Sequence, residues 1–259
     1  MANGISKTRV YRRAGWASLL GLATTVPAAA GGPAVSAPNL SVVTRGALFD
    51  QNHFGTDSFA GIGVKGAIPL GNAFGFQGDV GVGTDGYYGV GGHLFARDQS
   101  VGLLGAFASY EKNDFGSMSR YGVEGEVYWN RITVEGLASF QNSNLGDGFA
   151  GKLDLSFYAT PNFRITGGVE TDPGATFGHA GLEWQPGSWS GVSVTLDGKF
   201  GNVNRNELAV GVNFHIGGTG KTLIQRDRGD DPTFLLFNQS AITDKPNAPP
   251  PFTPPPKKT

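Results

Sequence analysis

From about residue 40 to residue 216, apolar residues alternate with polar residues or glycine in segments of about ten, and a short turn closes each segment. At 73–83, for example, Phe74, Phe76 and Val80 share one parity, while Gln77 and Asp79 share the other. Successive side chains of a β-strand point to opposite faces. One face of the predicted sheet therefore needs an apolar medium, and the other accepts charge.

Turn signals divide this region into about twelve strands. Turns such as Gly71-Asn72 and Asp172-Pro173-Gly174 contain residues that favour tight turns, and short turns imply antiparallel neighbours. We therefore predict an all-β fold, an antiparallel up-and-down transmembrane barrel of about twelve strands, or eleven if the first segment is a plug. The predicted strands are 40–50, 59–70, 73–83, 87–97, 101–111, 118–129, 132–141, 148–159, 163–171, 176–185, 191–201 and 206–216.

Charged residues fall on one parity of the clearest strands. The outward parity holds large apolar residues without lysine or arginine, as expected when a cation near the bilayer midplane costs about 2–4 kcal/mol. A soluble sandwich, with its core between two sheets, produces the same alternation and remains an alternative. The predicted lumen-lining residues are Arg45, Lys65, Asp79, Arg120, Glu124, Glu126, Glu135, Lys152, Asp154, Arg164, Glu170, Asp197 and Lys199.

Two interpretations of these inward charges stay open. If acids and bases pair across the lumen, the interior is a polar plug. If they segregate to opposite walls, they create the transverse field of a selective pore. Twelve strands lie between small barrels filled by side chains and large barrels with aqueous channels.

Connection lengths predict the orientation. Every second connection, beginning with 51–58, is on the whole longer than the connections between them. Outer-membrane barrels have short periplasmic turns, longer outside loops and an even number of strands. We therefore expect both chain termini of the barrel in the periplasm.

The first 30 residues have the layout of a secretory signal peptide. Lys7, Arg9, Arg12 and Arg13 precede an apolar stretch at 16–26 and a small-residue site that ends at Ala30. The stretch is too short for a membrane anchor, which needs about twenty apolar residues. The predicted organisation is a signal peptide at 1–30, a short lead at 31–39, the barrel at 40–216 and a tail at 217–259.

Composition supports an exported β-protein. The 42 glycines are about twice the usual share, and there is no cysteine, so disulfides and thiolate metal sites are excluded. Loss of the signal peptide would remove four positive charges and take the net charge from −1 to −1 − 4 = −5. This charge argues against nucleic acid as a partner.

The tail changes character. Residues 217–259 are polar and then proline-rich, and we predict a disordered periplasmic tail with polyproline character near its end. An apolar patch, Phe234-Leu235-Leu236-Phe237, offers docking as an alternative. The stretch Gly217 to Thr222 resembles a phosphate-binding loop, but His215 stands where the motif requires glycine and no helical pattern follows.

Catalytic and metal-binding motifs are not recognised. His53, His93, His179 and His215 are scattered without paired ligand spacing, so no metal site and no cofactor are predicted. A barrel-borne lipid or peptide hydrolase remains an alternative, and it requires His93 or His179 within hydrogen-bond reach of both a serine and an acid. No nucleophile motif such as G-x-S-x-G is present.

The last predicted strand carries a family resemblance. Gly211, Phe214 and Ile216 resemble the terminal assembly signal of porin-like outer-membrane barrels of Gram-negative bacteria, although the chain continues for 43 further residues, 217 to 259. The resemblance covers about 40–216. It implies passive diffusion of small hydrophilic solutes, with outer-membrane lipid and the barrel-assembly machinery as partners. The other alternative is an anchoring barrel whose tail binds a periplasmic or cell-wall partner.

Overall fold

A computed structural model describes residues 32–51, 55–144, 146–187, 189, 191–201, 206–217, 220–230 and 232–237. The predicted signal peptide, His53 and the tail beyond residue 237, with the partners predicted for it, lie outside the described residues.

Twelve antiparallel strands close into one barrel, as the alternation predicts. Each strand pairs with its sequence neighbours, and the first strand pairs with the last, where Leu40 lies opposite Ile216 and Leu48 opposite Leu208. The strands are β1 (Asn39–Gln51), β2 (Gly55–Leu70), β3 (Phe74–Gly83), β4 (Tyr88–Asp98), β5 (Gly102–Asn113), β6 (Gly116–Trp129), β7 (Ile132–Ser143), β8 (Gly146–Thr160), β9 (Phe163–Asp172), β10 (Ala175–Trp184), β11 (Val192–Gly201) and β12 (Glu207–Ile216).

Because the number of strands is even, β1 begins and β12 ends at the same end of the barrel, which we call the terminus end; the opposite end is the far end. The predicted difference in connection lengths is wrong. Most connections at both ends have two to four residues, and the longest, 185–191, lies at the terminus end. Strand pairing continues into segments such as 113–116 and 143–146, which the sequence assigned to loops, because pairing satisfies their backbone groups.

The two faces of the wall separate as predicted. Outward residues leave much of their surface uncovered, 62% for Phe149 and 56% for Val210, whereas inward Asp154 and Ser193 are 3% and 0% exposed. The apolar side chains are thus on the outside of the barrel, and the polar ones are enclosed. This is the reverse of a soluble protein, and it fits a barrel whose outer surface contacts lipid.

The segment after β12 differs from the prediction of a disordered tail. Residues 223–229 form a short helix, α1 (Leu223–Gly229), and Leu235, Leu236 and Phe237 are buried inside the barrel. The predicted absence of a helix after Thr222 is therefore wrong; the Thr222 backbone N–H donates to the Gln225 side chain at 2.9 Å and so helps to start α1. We call the described residues 220–230 and 232–237 the strap.

No helix in the described part of the chain is long and apolar enough to cross a membrane.

Candidate channel lumen

One part of the inner wall, formed by β7–β12 together with β1, carries paired charges. Lys152 Nζ lies 3.1 Å from carboxylate oxygens of both Glu135 and Asp154, and Lys199 Nζ lies 2.9 Å from Glu170. The other wall pairs are Arg45 with Glu207 and with Asp197 at 3.9 Å, and Arg164 with Glu183 at 2.6 Å.

These pairs join groups on one strand or on strands no more than two positions apart. Acids and bases therefore compensate one another along a single wall, and the segregation that would create a transverse field is absent from the described residues. The pairs also do not cross the lumen to plug it. The structure thus combines a wall of compensated charge with an open space beside it.

That space is a cavity of ≈ 290 Å³, and almost all of the predicted lumen residues line it. The exceptions are Asp79 and Glu124, which are buried against His93: its Nε2 lies 3.1 Å from Asp79 and its Nδ1 lies 2.9 Å from Glu124. The predicted residues that line the cavity are Arg45, Lys65, Arg120, Glu126, Glu135, Lys152, Asp154, Arg164, Glu170, Asp197 and Lys199.

The opposite wall, on β2–β4, carries a row of glycines. Gly63 pairs directly with Gly81, and Gly81 pairs with Gly89, so three glycines form a row across three strands. A Cβ built on Gly63 would lie 2.5 Å from the ring of Phe234, and one on Gly81 would lie 2.9 Å from the ring of Phe237. We call Gly63, Gly81 and Gly89 the glycine track. Its lack of side chains creates the space that the strap fills.

Helix α1 fixes the strap at the terminus end. Asp227 accepts hydrogen bonds from Tyr158 Oη at 2.6 Å and from Arg164 Nη1 at 2.8 Å, and Arg228 donates to the Ile132 carbonyl at 2.9 Å. Burial raises the pKa of the Asp227 carboxyl above its ordinary value, although Arg164 opposes the shift.

Residues 232–237 then run through the lumen toward the far end. Lys65 Nζ donates to the Pro232 carbonyl at 3.3 Å, and Arg120 Nη2 donates to the Leu235 carbonyl at 2.7 Å. Thr233 Oγ1 donates to Glu135 at 2.9 Å. Two predicted lumen cations thus bind the backbone of the strap.

At the far end the strap closes an aromatic cluster. The rings of Phe59 and Tyr87 lie 5.5 Å from the ring of Phe237, which is 4% exposed. The Phe237 backbone N–H donates to Tyr87 Oη at 2.9 Å, and Tyr87 Oη donates to Glu111 at 2.7 Å. Burial and the neighbouring Glu111 raise the pKa of Tyr87, so it stays a neutral donor. Side chains of the wall and the strap thus pack together and narrow this end of the lumen.

The residues before β1 contribute to the terminus end. Ala34 and Val35 are fully buried, packed with Phe95 and Leu103. Ser36 joins them to the strap, because its backbone N–H donates to the Gly229 carbonyl at 2.7 Å. The predicted lead and the strap thus meet inside the barrel.

The histidines do not form the arrangement that the hydrolase alternative requires. His93 and His179 each lie beside two carboxylates, and neither hydrogen-bonds a serine within the described ranges. His215 lies 3.0 Å from Ser41 Oγ and 3.5 Å from Ser193 Oγ. No group of three or more potential ligands among the described residues is placed to hold a metal ion.

Sequence reasoning missed the residues that seat the strap: Tyr87, Asp227 and the glycine track. A signal for the track does exist, since Gly61, Gly63 and Gly81 share the parity of Lys65 and Asp79. Glycine on the inward parity indicates that something else fills the lumen there. The apolar patch at 234–237, for which the sequence offered docking as an alternative, lies in that space.

A closed antiparallel barrel with an apolar outer surface and a charged interior defines the class: the chain has the fold of a transmembrane β-barrel.

Solved structures of porins share this fold. The KdgM porin in complex with disordered oligogalacturonate is 12% identical, with a TM-score of 0.53, and the match covers 68% of this chain and 99% of that chain. A second structure of the KdgM porin gives 12% identity, a TM-score of 0.52 and the same coverage. No protein-family profile and no curated protein sequence matches the chain. The chain therefore resembles porin-like outer-membrane barrels in fold.

Proposed function

We propose that the protein is a narrow, porin-like channel of an outer membrane, through which small hydrophilic solutes diffuse passively. The observation that carries this proposal is the cavity between the charged wall and the strap, inside a barrel with an apolar outer surface. A space of ≈ 290 Å³ is large enough to hold several water molecules. It suits ions and very small solutes.

The same features support the location. Outward Val210, Phe149 and Trp129 form part of an apolar surface that lipid would cover, and strands of 10 to 16 residues are long enough for a tilted transmembrane strand, which needs about 9–11. By analogy with even-stranded barrels, the terminus end faces the periplasm and the far end faces outward.

The paired wall determines the expected selectivity. Lys152 and Lys199 are each matched by acids within 3.1 Å, so an ion that passes meets little net charge. We expect weak discrimination between cations and anions rather than the strong selectivity of a segregated pore.

Conductance of the purified, refolded protein in planar bilayers tests the proposal. We expect small, discrete current steps and a reversal potential near zero under a salt gradient. Protein boiled in detergent, added at the same concentration, controls for leaks. Absence of current at any voltage, in the wild type and in the strap variants described below, would exclude a channel.

A further inference from the structure

The strap fits the glycine track closely. Phe234 and Phe237 occupy positions where a side chain on Gly63 or Gly81 would have to stand, and Leu236 lies 3.3 Å from the Cβ position of Gly89. The three glycines lie side by side on neighbouring strands, so the wall has a groove that crosses β2, β3 and β4. The wall is thus shaped to receive an extended segment with aromatic side chains.

The strap is nevertheless not part of the barrel wall. Residues 232–237 belong to no strand, and the hydrogen bonds described above join them to side chains: Lys65, Arg120, Glu135 and Tyr87. The pairing of β1 with β12 closes the barrel without them. Departure of this segment would therefore leave all twelve strand pairs intact.

The strap also borders the remaining cavity. Residues from Pro232 to Phe237 line it together with the charged wall. Departure of these residues would join the space they occupy to the cavity and would open the aromatic cluster at the far end, since Phe237 is a member of that cluster.

We propose that the glycine track is a docking site for an extended aromatic segment, that residues 232–237 fill it in the closed barrel, and that their release opens a wider channel. This inference rests on the proposed channel function and adds its regulation. The ligand class of the track is a short peptide with two aromatic side chains three residues apart, and the chain supplies this ligand itself.

A reversible cross-link in the full chain tests the inference. The side chains of Thr233 and Glu135 are in contact, at 2.9 Å, and the protein has no native cysteine. In the double variant Thr233→Cys/Glu135→Cys, a reducible bis-methanethiosulfonate spacer would join strap and wall. We expect linkage to abolish the larger current steps and reduction of the same channels to restore them. Each single-cysteine variant, treated identically, is the control.

Unchanged current steps after linkage would overturn the inference, and so would failure of the two cysteines to link in the folded protein. Current in any of these variants would still support the proposed channel function, so the experiment can refute release of the strap without refuting the channel. A complete lack of current in every variant, linked or reduced, would overturn both.

A second pair of variants does not depend on cross-linking. Each of Phe234→Ser and Phe237→Ser should raise the ratio of open to closed channels roughly tenfold, because an aromatic side chain no longer leaves water when the strap docks. Phe252→Ser makes the same change outside the strap and should leave the ratio as in the wild type. Equal ratios in all three variants would show that the strap does not close the channel.

Discussion

Substitution of Gly63 should push the strap off its site, and the strain that it adds within the wall is the same whether the strap is docked or released. A Cβ at this position would lie 2.5 Å from Phe234 Cζ and 3.0 Å from the Val80 carbonyl oxygen. Carbon atoms pack best at about 3.5–4.0 Å, so the Phe234 ring would have to retreat by about 1 Å. The neighbouring ring of Phe237, with its centroid 5.1 Å away, limits that movement.

Overpacking of this kind costs about 1–3 kcal/mol, which corresponds to a change of about 5-fold to 150-fold in the ratio of docked to released strap. Alanine also makes the unfolded chain less flexible than glycine does. That effect stabilises the docked and the released barrel equally, because β2 is a strand in both, and so it cancels from the ratio. Gly63→Leu should shift the ratio toward the released strap further than Gly63→Ala does, because its side chain is larger.

The open probability in planar bilayers measures the ratio of released to docked strap. Heat-modifiability on a gel reports whether the barrel is folded. Gly78→Ala is the matched control, since a Cβ there meets nothing nearer than 3.8 Å. If Gly63→Ala and Gly78→Ala show the same open probability in folded barrels, Phe234 is not seated on Gly63 and the proposed plug is wrong.

Four further changes probe other parts of the structure. Tyr87→Phe removes the hydroxyl that accepts a hydrogen bond from the Phe237 backbone N–H. The open probability should rise by a factor that corresponds to about 1–3 kcal/mol. Lys199→Gln leaves Glu170 without its cation, and the reversal potential in a KCl gradient should shift toward that of K⁺; no shift would contradict the compensated wall. Val210→Arg places a cation on the lipid side at a cost of about 2–4 kcal/mol, and the folded fraction after refolding into liposomes should fall relative to Val210→Leu. Since burial raises the pKa of Asp227, the contact of α1 with the barrel wall is strongest below the ordinary pKa of 3.8 and weakens as pH rises through the raised value; cleavage of α1 by an added protease should therefore increase with pH in the wild type more than in Asp227→Asn, which also controls for the pH dependence of the protease.

Alternation along the chain was enough to predict the wall. The prediction of each strand needs only the local sequence, because an inward charge such as Asp154 and an outward residue such as Leu155 are neighbours along the chain. The register of strand pairing follows from the same pattern, since a slip by one residue would place every inward charge on the face that contacts lipid. The twelve strands and the two faces were therefore predictable.

The contents of the lumen were not predictable in the same way. Arg120 and Leu235 are 115 residues apart, and Phe237 and Tyr87 are 150 apart, so no local pattern joins them. The pairing of Lys199 with Glu170 likewise depends on which strands are neighbours and on their register. Eleven of the thirteen predicted lumen residues border the cavity, whereas Asp79 and Glu124 hold His93.

The glycine track explains why this barrel can close and open at all. Small barrels fill their interiors with wall side chains, and such a filling can leave only if the wall itself unfolds. Here Gly63, Gly81 and Gly89 contribute no side chains, and the filling comes from Phe234 and Phe237 on a segment outside the strand ladder. Wall and filling are thus separate parts of one chain. Substitutions in the track should therefore raise the open probability while the twelve-stranded barrel stays folded. A strap fixed to the wall by a cross-link should lower the open probability.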